Sequence, residues 1–399
     1  LNIVTEKKES IAERLSELSN AIRESAAINE GHAFPHQNFD KVIELDLHKL
    51  TLPAAYGGYE YNFEKVSEVL IQLAQGCPST ALCLAMHYYT IAGLTSVLNA
   101  QQQEELFHEV SVNHQFFSSF NLPNVSIIQA GQDFSSSTGL KISKCRGGYI
   151  VNGKKRCVSG IERFKYLPIY GNQAGVEKSR FGITALMASV SDTGVSIESS
   201  WNMTAMKSTQ SHDVIFDNVY ITDRWLIGRE GFGVEDTPHL IFWSRLAITS
   251  VYLGVAKAAL DHVVGIMKQK RDRLSNKLIA FMPGPQFALA DMRIKFEAAR
   301  SQLLLYAQQA SDQINAGLHN EELVQKSLMT KIFVCRTVNE IVWEAMQVEG
   351  MTSMAEGGLL ERLYKDIRAA TFHQPDEMLG KEMLAKRTLG LIAPKNRWA

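Results

Sequence analysis

The feature that most constrains this chain is a hydrophobic period that changes twice along its length. Ile11, Leu15, Leu18 and Ile22 recur at spacings of four, three and four, which places them on one face of a helix. From about Phe116 the pattern shortens to alternation and β-branched runs, as in Gly182-Ile183-Thr184-Ala185-Leu186-Met187 and Asp213-Val214-Ile215-Phe216. Within Tyr149 to Lys155, the pair Asn152-Gly153 predicts a hairpin turn. The helical stripe then returns in Leu253, Ala256, Leu260 and Val263, again in Met292, Phe296, Ala299, Leu303 and Tyr306, and over Val324 to Met346. Helices, a β unit, then helices make an α+β chain of three parts, with expected bounds 1–114, 115–230 and 231–399.

Within the first part, Phe34-Pro35 breaks the opening helix, and Leu52-Pro53-Ala54-Ala55-Tyr56-Gly57-Gly58 reads as a connector. Gly76-Cys77-Pro78-Ser79 ends another helix, and Ser79 is expected to cap the next, from Thr80 to Leu98.

Composition excludes more than it selects. A chain of 399 residues is too long for one core. Lys and Arg number 41 against 42 Asp and Glu, so no basic face for nucleic acid is expected. The five cysteines, Cys77, Cys83, Cys145, Cys157 and Cys335, are scattered without a CxxC pair, which signals neither a disulfide framework nor zinc and fits a cytoplasmic setting. No apolar run approaches the roughly 18 residues of a membrane span, and Leu1 to Ser19 lacks the pattern of a signal peptide. His32 and His36 are the only histidines four apart and straddle Pro35, so no metal site is expected. Gly228, Gly231 and Gly233 lack the spacing of a dinucleotide loop and read as an interdomain turn. Asp376-Glu377 follows Pro375 and reads first as the acidic start of a helix. Chemistry alone thus yields an architecture but no reaction.

A series of ordered words supplies one. Leu52 to Gly58, Cys77-Pro78-Ser79-Thr80-Ala81 with His87, and Gly148 to Lys155 followed by Val158-Ser159-Gly160 come first. Met203, Met206, Ser208-Thr209, Ser211 and Asp213-Val214 with Phe216 follow. Leu253 to Ala256, Leu289 to Met292, Gln347-Val348-Glu349-Gly350 and Leu360 to Asp366 complete the series. In order and spacing the chain resembles the acyl-CoA dehydrogenase family of flavoproteins, from about Phe34 to Leu391.

That resemblance implies an N-terminal helical domain, a central β-barrel-like domain and a C-terminal four-helix bundle. It also implies FAD held between the β and C-terminal domains, and a homotetramer or homodimer. Residue by residue, it places Val158 and Ser159 against the flavin ring, with Cys157 where a bulky aromatic usually stands. Asn121 and Leu122 fall at the flavin loop, whose Gly-Ser-Asp is not recognisable here. Arg271 is implied as the arginine that crosses to a partner subunit's flavin pyrophosphate, Gln347 and Gly350 as further cofactor contacts, and Ser244 and Arg245 as substrate contacts.

The departure lies at the base. Dehydrogenation needs a carboxylate to take the proton alpha to a thioester. Its usual position is Gln374 and its second position is Ser244, neither of them acidic. Asp376 or Glu377 is the expected substitute. The tail from Asp366 to Asp376 also resembles the family's flavin-dependent monooxygenase branch, in which His373 would lie near the flavin. The first expectation is therefore alpha,beta-dehydrogenation of an acyl-CoA, with an electron-transfer flavoprotein as partner. The alternatives are a two-component monooxygenase on a small organic substrate, served by a flavin reductase, or an inactive flavin-binding homologue.

Overall fold

A computed structural model describes residues 10–29, 33–121, 138–176, 181–317 and 321–390. The expected flavin-loop residue Leu122 lies outside the described residues. The first part holds α1 (Ile11–Asn29), α2 (His36–Glu44), α3 (Phe63–Ala74), α4 (Pro78–Leu94) and α5 (Ala100–Ser111). The central part holds β1 (Leu140–Cys145), β2 (Gly148–Val158), β3 (Tyr166–Gln173), β4 (Ile183–Ser189), β5 (Val195–Glu198), β6 (His212–Thr222) and β7 (Leu226–Ile227). The last part holds the short α6 (Gly233–Asp236) and the long α7 (Leu240–Gln269), α8 (Pro283–Asn315) and α9 (Glu321–Glu349), followed by α10 (Leu359–Arg368) and α11 (Glu377–Thr388).

The strands form one seven-stranded mixed sheet in the order β5-β6-β2-β1-β3-β4-β7, with β1 and β3 parallel. Its longest pairing joins β2 to β6. Asn152-Gly153 is not the hairpin turn expected from sequence. β2 runs straight through it, and the pairing with β6 shifts register between Val151 and Gly153. Gly153 takes a φ of 124°, and a Cβ there would meet the Gly139 carbonyl oxygen at 2.3 Å, so the glycine marks a bulge. The β1–β2 turn falls instead at Arg146-Gly147, where Gly147 has a φ of 74°.

A second expectation also changes. α4 starts at Pro78 with Cys77 as the capping position, and Ser79 lies inside the helix and is buried. Proline lacks an N–H and has a helical φ, so the first helical position suits it. α4 is buried almost all round, and it packs on α7. Contrary to the sequence expectation, α7 is long and apolar enough by length and composition to cross a membrane, with a mean hydropathy of 1.3 over 18 residues. Of that window 67% is buried, and α3, α4, α8 and α9 surround it as the core helix of the body.

Polar ties fix the parts against one another. Ser67 on α3 and Ser250 on α7 share a 2.8 Å hydroxyl bond. Asn99 and Gln102 form a capping box at the start of α5, and Gln102 donates to the carbonyls of Arg224 and Leu226 at 2.7 Å each. Between the first helices and the sheet Phe116 stacks on Phe164, and Phe39 meets both edge-on.

Candidate flavin site

The candidate site takes in the end of β2 and the turn Lys207–Thr209, tied to α10 through Asp366, and the segment after α10, which packs on α7. Between Lys155 and Val158 the β2–β6 register shifts again. Cys157 is exposed there in the left-handed region at a φ of 53°, with its N–H donated to Asp213 Oδ1 at 3.0 Å. Val158 is buried, while Ser159 Oγ lies 2.8 Å from Ser211 Oγ, which lies 2.7 Å from Thr209 Oγ1. The bulge pushes Cys157 out of the ladder, which resumes at Val158 opposite His212, and a row of hydroxyls lies just past the strand end. A flat heteroaromatic ring with one polar edge needs such partners along it, so these residues fit a flavin.

Beneath the hydroxyls, Asp366 on α10 accepts from the Met206 N–H at 2.5 Å. Burial pushes this carboxyl up to about 6. Across the seam, Tyr252 Oη on α7 lies 2.7 Å from His373 Nε2. Burial, aided by the Lys331 charge, pulls His373 down to about 4, so the ring is neutral near pH 7. Lys331 on α9 is buried and donates 2.7 Å bonds to the carbonyls of His373 and Pro375. It therefore grips the chain on both sides of Gln374, whose own side chain is exposed.

The expected substitute bases are otherwise engaged. Asp376 caps α11, its Oδ1 accepting from the Leu379 N–H at 3.0 Å. Glu377 is ion-paired to Lys381 and lies 3.7 Å from Arg336 Nε. Ser244 is buried and donates to the Ile241 carbonyl at 3.2 Å. Arg245 is buried, donates to Ser327 Oγ at 2.6 Å, and leaves Nε without a hydrogen-bond partner among the described residues. Burial lowers it to about 10. It precedes Tyr252 on α7 by seven residues, about 10 Å along the axis.

The remaining residues fall in two places. Asn121 is tied to the sheet: its carboxamide donates to Thr138 O at 3.0 Å and Tyr170 O at 3.2 Å, and accepts from Tyr170 N at 3.0 Å. Arg271, Gln347 and Gly350 gather at the far end of α7, where Lys270 Nζ donates to the Glu349 carbonyl at 2.6 Å. All three are exposed, and that end lies about 27 Å along α7 from Tyr252. Within one chain they lie far from His373, which Tyr252 holds. Sequence reasoning did not single out Tyr252, Lys331 or Asp366 as site residues. Only Lys331 carried a signal, a lysine set among the apolar positions of α9.

Two family models match, the acyl-CoA dehydrogenase N-terminal domain over residues 5–111 and its C-terminal domain over residues 246–375. The chain belongs to the acyl-CoA dehydrogenase family. Flavin is the cofactor of this family. Among its relatives, the NADH-dependent acryloyl-CoA reductase of Anaerotignum propionicum is 24% identical over 91% of this chain and 89% of its own length. The FMN-bound structure of TdsC from Paenibacillus sp. A11-2 superposes with a TM-score of 0.85 at 17% identity, covering 97% of this chain and 99% of that one. The methanesulfinate monooxygenase MsuC from Pseudomonas fluorescens superposes with a TM-score of 0.84 at 18% identity, over 97% and 98%. These superpositions establish the shared fold.

Proposed function

We propose that this family member is a flavin-dependent monooxygenase acting on a small organic substrate, using reduced flavin made by a separate reductase. One observation carries the reading. The two positions that would hold the dehydrogenase carboxylate are Gln374 and Ser244, while Asp376 caps a helix and Glu377 is ion-paired. A carboxamide cannot take a proton at neutral pH. The names of MsuC and of the dibenzothiophene monooxygenase TdsC support the same direction.

Bound reduced flavin would supply the electrons that activate dioxygen. The chain's own residues do the rest. Val158 and Ser159 seat the ring at the β2 bulge, with Cys157 leaving room beside it. Neutral His373, oriented by Tyr252 and held by Lys331, offers an imidazole that accepts or donates a proton within a buried seam. Tyr252, fully buried on α7, keeps water from one side of His373, which favours oxidation of the substrate over loss of the reducing equivalents.

The dehydrogenase reading is supported by the names of several relatives, among them the acryloyl-CoA reductase, a cyclohex-1-ene-1-carbonyl-CoA dehydrogenase and a short-chain specific acyl-CoA dehydrogenase. It requires a carboxylate freed from the α11 cap or from the Lys381 pair. The deciding experiment supplies reduced FMN or FAD with oxygen and a panel of small sulfur and aromatic compounds. Substrate-dependent formation of an oxygenated product supports the proposal. Rapid bleaching of bound flavin by an acyl-CoA, with no oxygenated product from any compound, overturns it.

A further inference from the structure

A cavity of about 140 Å³ lies where the three parts of the chain meet. Ala26 on α1, the start of α4 from Gly76 to Ser79, the turn at Lys207-Ser208 and one face of α10 contribute to its wall. Ser159, Tyr252 and His373 do not, so it is a different place from the flavin end of β2 and from the His373 seam. A cavity of about 150 Å³ admits benzene, so this one has room for a group of about six non-hydrogen atoms. Three acids and three bases face it, and their pairing decides its sign. Glu361 is ion-paired to Lys365, Asp366 accepts from the Met206 N–H, and Glu356 stands exposed at the rim. Two cations are left over. Arg362 donates to the Ala26 carbonyl at 3.0 Å but has no ion pair, and the Lys207 ammonium has no partner among the described residues. Ser79 adds a donor. It is 4% exposed, and its hydroxyl has no hydrogen-bond partner among the described residues, a costly state for a buried polar group. It sits in the first turn of α4, a helix of 17 residues, so the positive end of that macrodipole faces the same space.

We infer that this cavity is an oxyanion-binding site, which takes the phosphate or carboxylate group of a small molecule between Lys207 and Arg362 with the Ser79 hydroxyl as a further donor. A guanidinium fork, an ammonium and a helix start together supply the donors and the charge that such a group needs. The site carries its own pH dependence, because Asp366 shares the wall. Burial pushes the Asp366 carboxyl up to about 6. An anion bound beside it favours the protonated form, so binding takes up a proton and weakens as pH rises above about 6. The other titratable groups of the wall are Cys77, Lys207, Glu356, Glu361, Arg362 and Lys365, and no histidine is among them.

The test is calorimetric titration of the full chain with inorganic phosphate, sulfate or malonate, against chloride at equal ionic strength. Saturable binding of one equivalent is expected, with phosphate the tighter if the natural group is a phosphate and malonate the tighter if it is a carboxylate. Sulfate keeps its charge across the range and serves for the pH series, where its affinity should be about tenfold weaker at pH 8.5 than at pH 5.5. Asp366→Asn should abolish that difference by removing the competing charge. Lys207→Gln should weaken binding about tenfold, as expected for a charged donor, and Ser79→Ala about threefold. Lys207→Arg should retain it. Neither the Lys207 ammonium nor the Ser79 hydroxyl makes a bond in the folded chain, so these variants leave the fold intact and a loss of binding reads the site itself. No saturable binding of any of the three anions overturns the inference. So does sulfate binding that is equal in the wild type, Lys207→Gln and Ser79→Ala.

Discussion

His373 Nε2 lies 2.7 Å from Tyr252 Oη, and the carbonyl of the same histidine accepts from Lys331 Nζ at 2.7 Å. The imidazole is thus oriented by α7 while its backbone is held by α9. Tyr252→Phe should leave His373 in the seam without its partner. The expected loss is about 1 kcal/mol of stability, together with a fall in product yield per reduced flavin consumed. Urea unfolding and the ratio of product to oxygen consumed check the two parts separately.

Lys331 has a different role, and its loss should be more severe. Lys331→Met leaves two partly buried carbonyls, those of His373 and Pro375, without a donor. A destabilisation of about 2–4 kcal/mol is expected, read as a lower urea midpoint. Lys331→Arg should recover part of it, because the guanidinium keeps the charge and the donors.

Asp376→Ala distinguishes a cap from a base. As the N-cap of α11, Asp376 should lose about 1 kcal/mol on truncation, and Asp376→Asn should lose less. Turnover measured below the unfolding temperature should be unchanged in both. A rate drop of two or more orders of magnitude in a folded Asp376→Asn protein would place this carboxylate in the chemistry instead.

Stability should rise steeply with pH through the acid range. Burial pulls His48 and His373 down to about 4 and His87 down to about 3, from an ordinary value near 6.5. Between about pH 4 and 6.5 the unfolded chain binds three protons that the folded chain does not, so acid destabilises it. Asp366, raised to about 6 from 3.8, opposes this, since the folded state holds its proton where the unfolded state has lost it. The net is about two protons, each worth about 1.4 kcal/mol per pH unit. Asp366→Asn should steepen the profile between about pH 4 and 6, and chemical denaturation at stepped pH measures it.

Much of the architecture is legible in the sequence because periodicity is local. The stripes on α1, α8 and α9, the alternation of β6 and the continuously buried run of β4 each arise from contiguous residues facing a core. What failed depended on distant partners. Asn152-Gly153 carries the local chemistry of a turn, yet pairing with Phe216 and Val219 on β6 holds it in a strand as a bulge. The apolar character of α7 is visible in sequence, but only the helices around it make it a core helix. The site followed the same rule. Ser159 and His373 were reached through resemblance, whereas Tyr252, Lys331 and Asp366 gain meaning from bonds spanning 121, 42 and 160 residues.

Self-association follows from the outer face of the last part. Phe287, Ile294 and Leu305 on α8 and Met329, Phe333 and Trp343 on α9 are exposed large apolar side chains. Faces of this kind mark subunit contacts. Light scattering at micromolar protein should report a dimer or larger. Trp343→Glu should weaken assembly by about tenfold or more, as expected for a central aromatic anchor. Arg271, exposed at the far end of the bundle, is the residue that the family resemblance implies as the contact to a neighbouring subunit's flavin, so on that expectation the same variant should also loosen flavin binding.

The most direct test of the central claim is the absorbance of bound oxidised flavin during anaerobic addition of acyl-CoAs of short, medium and long chain. With Gln374 and Ser244 at the base positions and Asp376 and Glu377 engaged, the flavin should stay oxidised with every one of them. Bleaching of the bound flavin by any acyl-CoA, at a rate fast enough for turnover, would contradict the account.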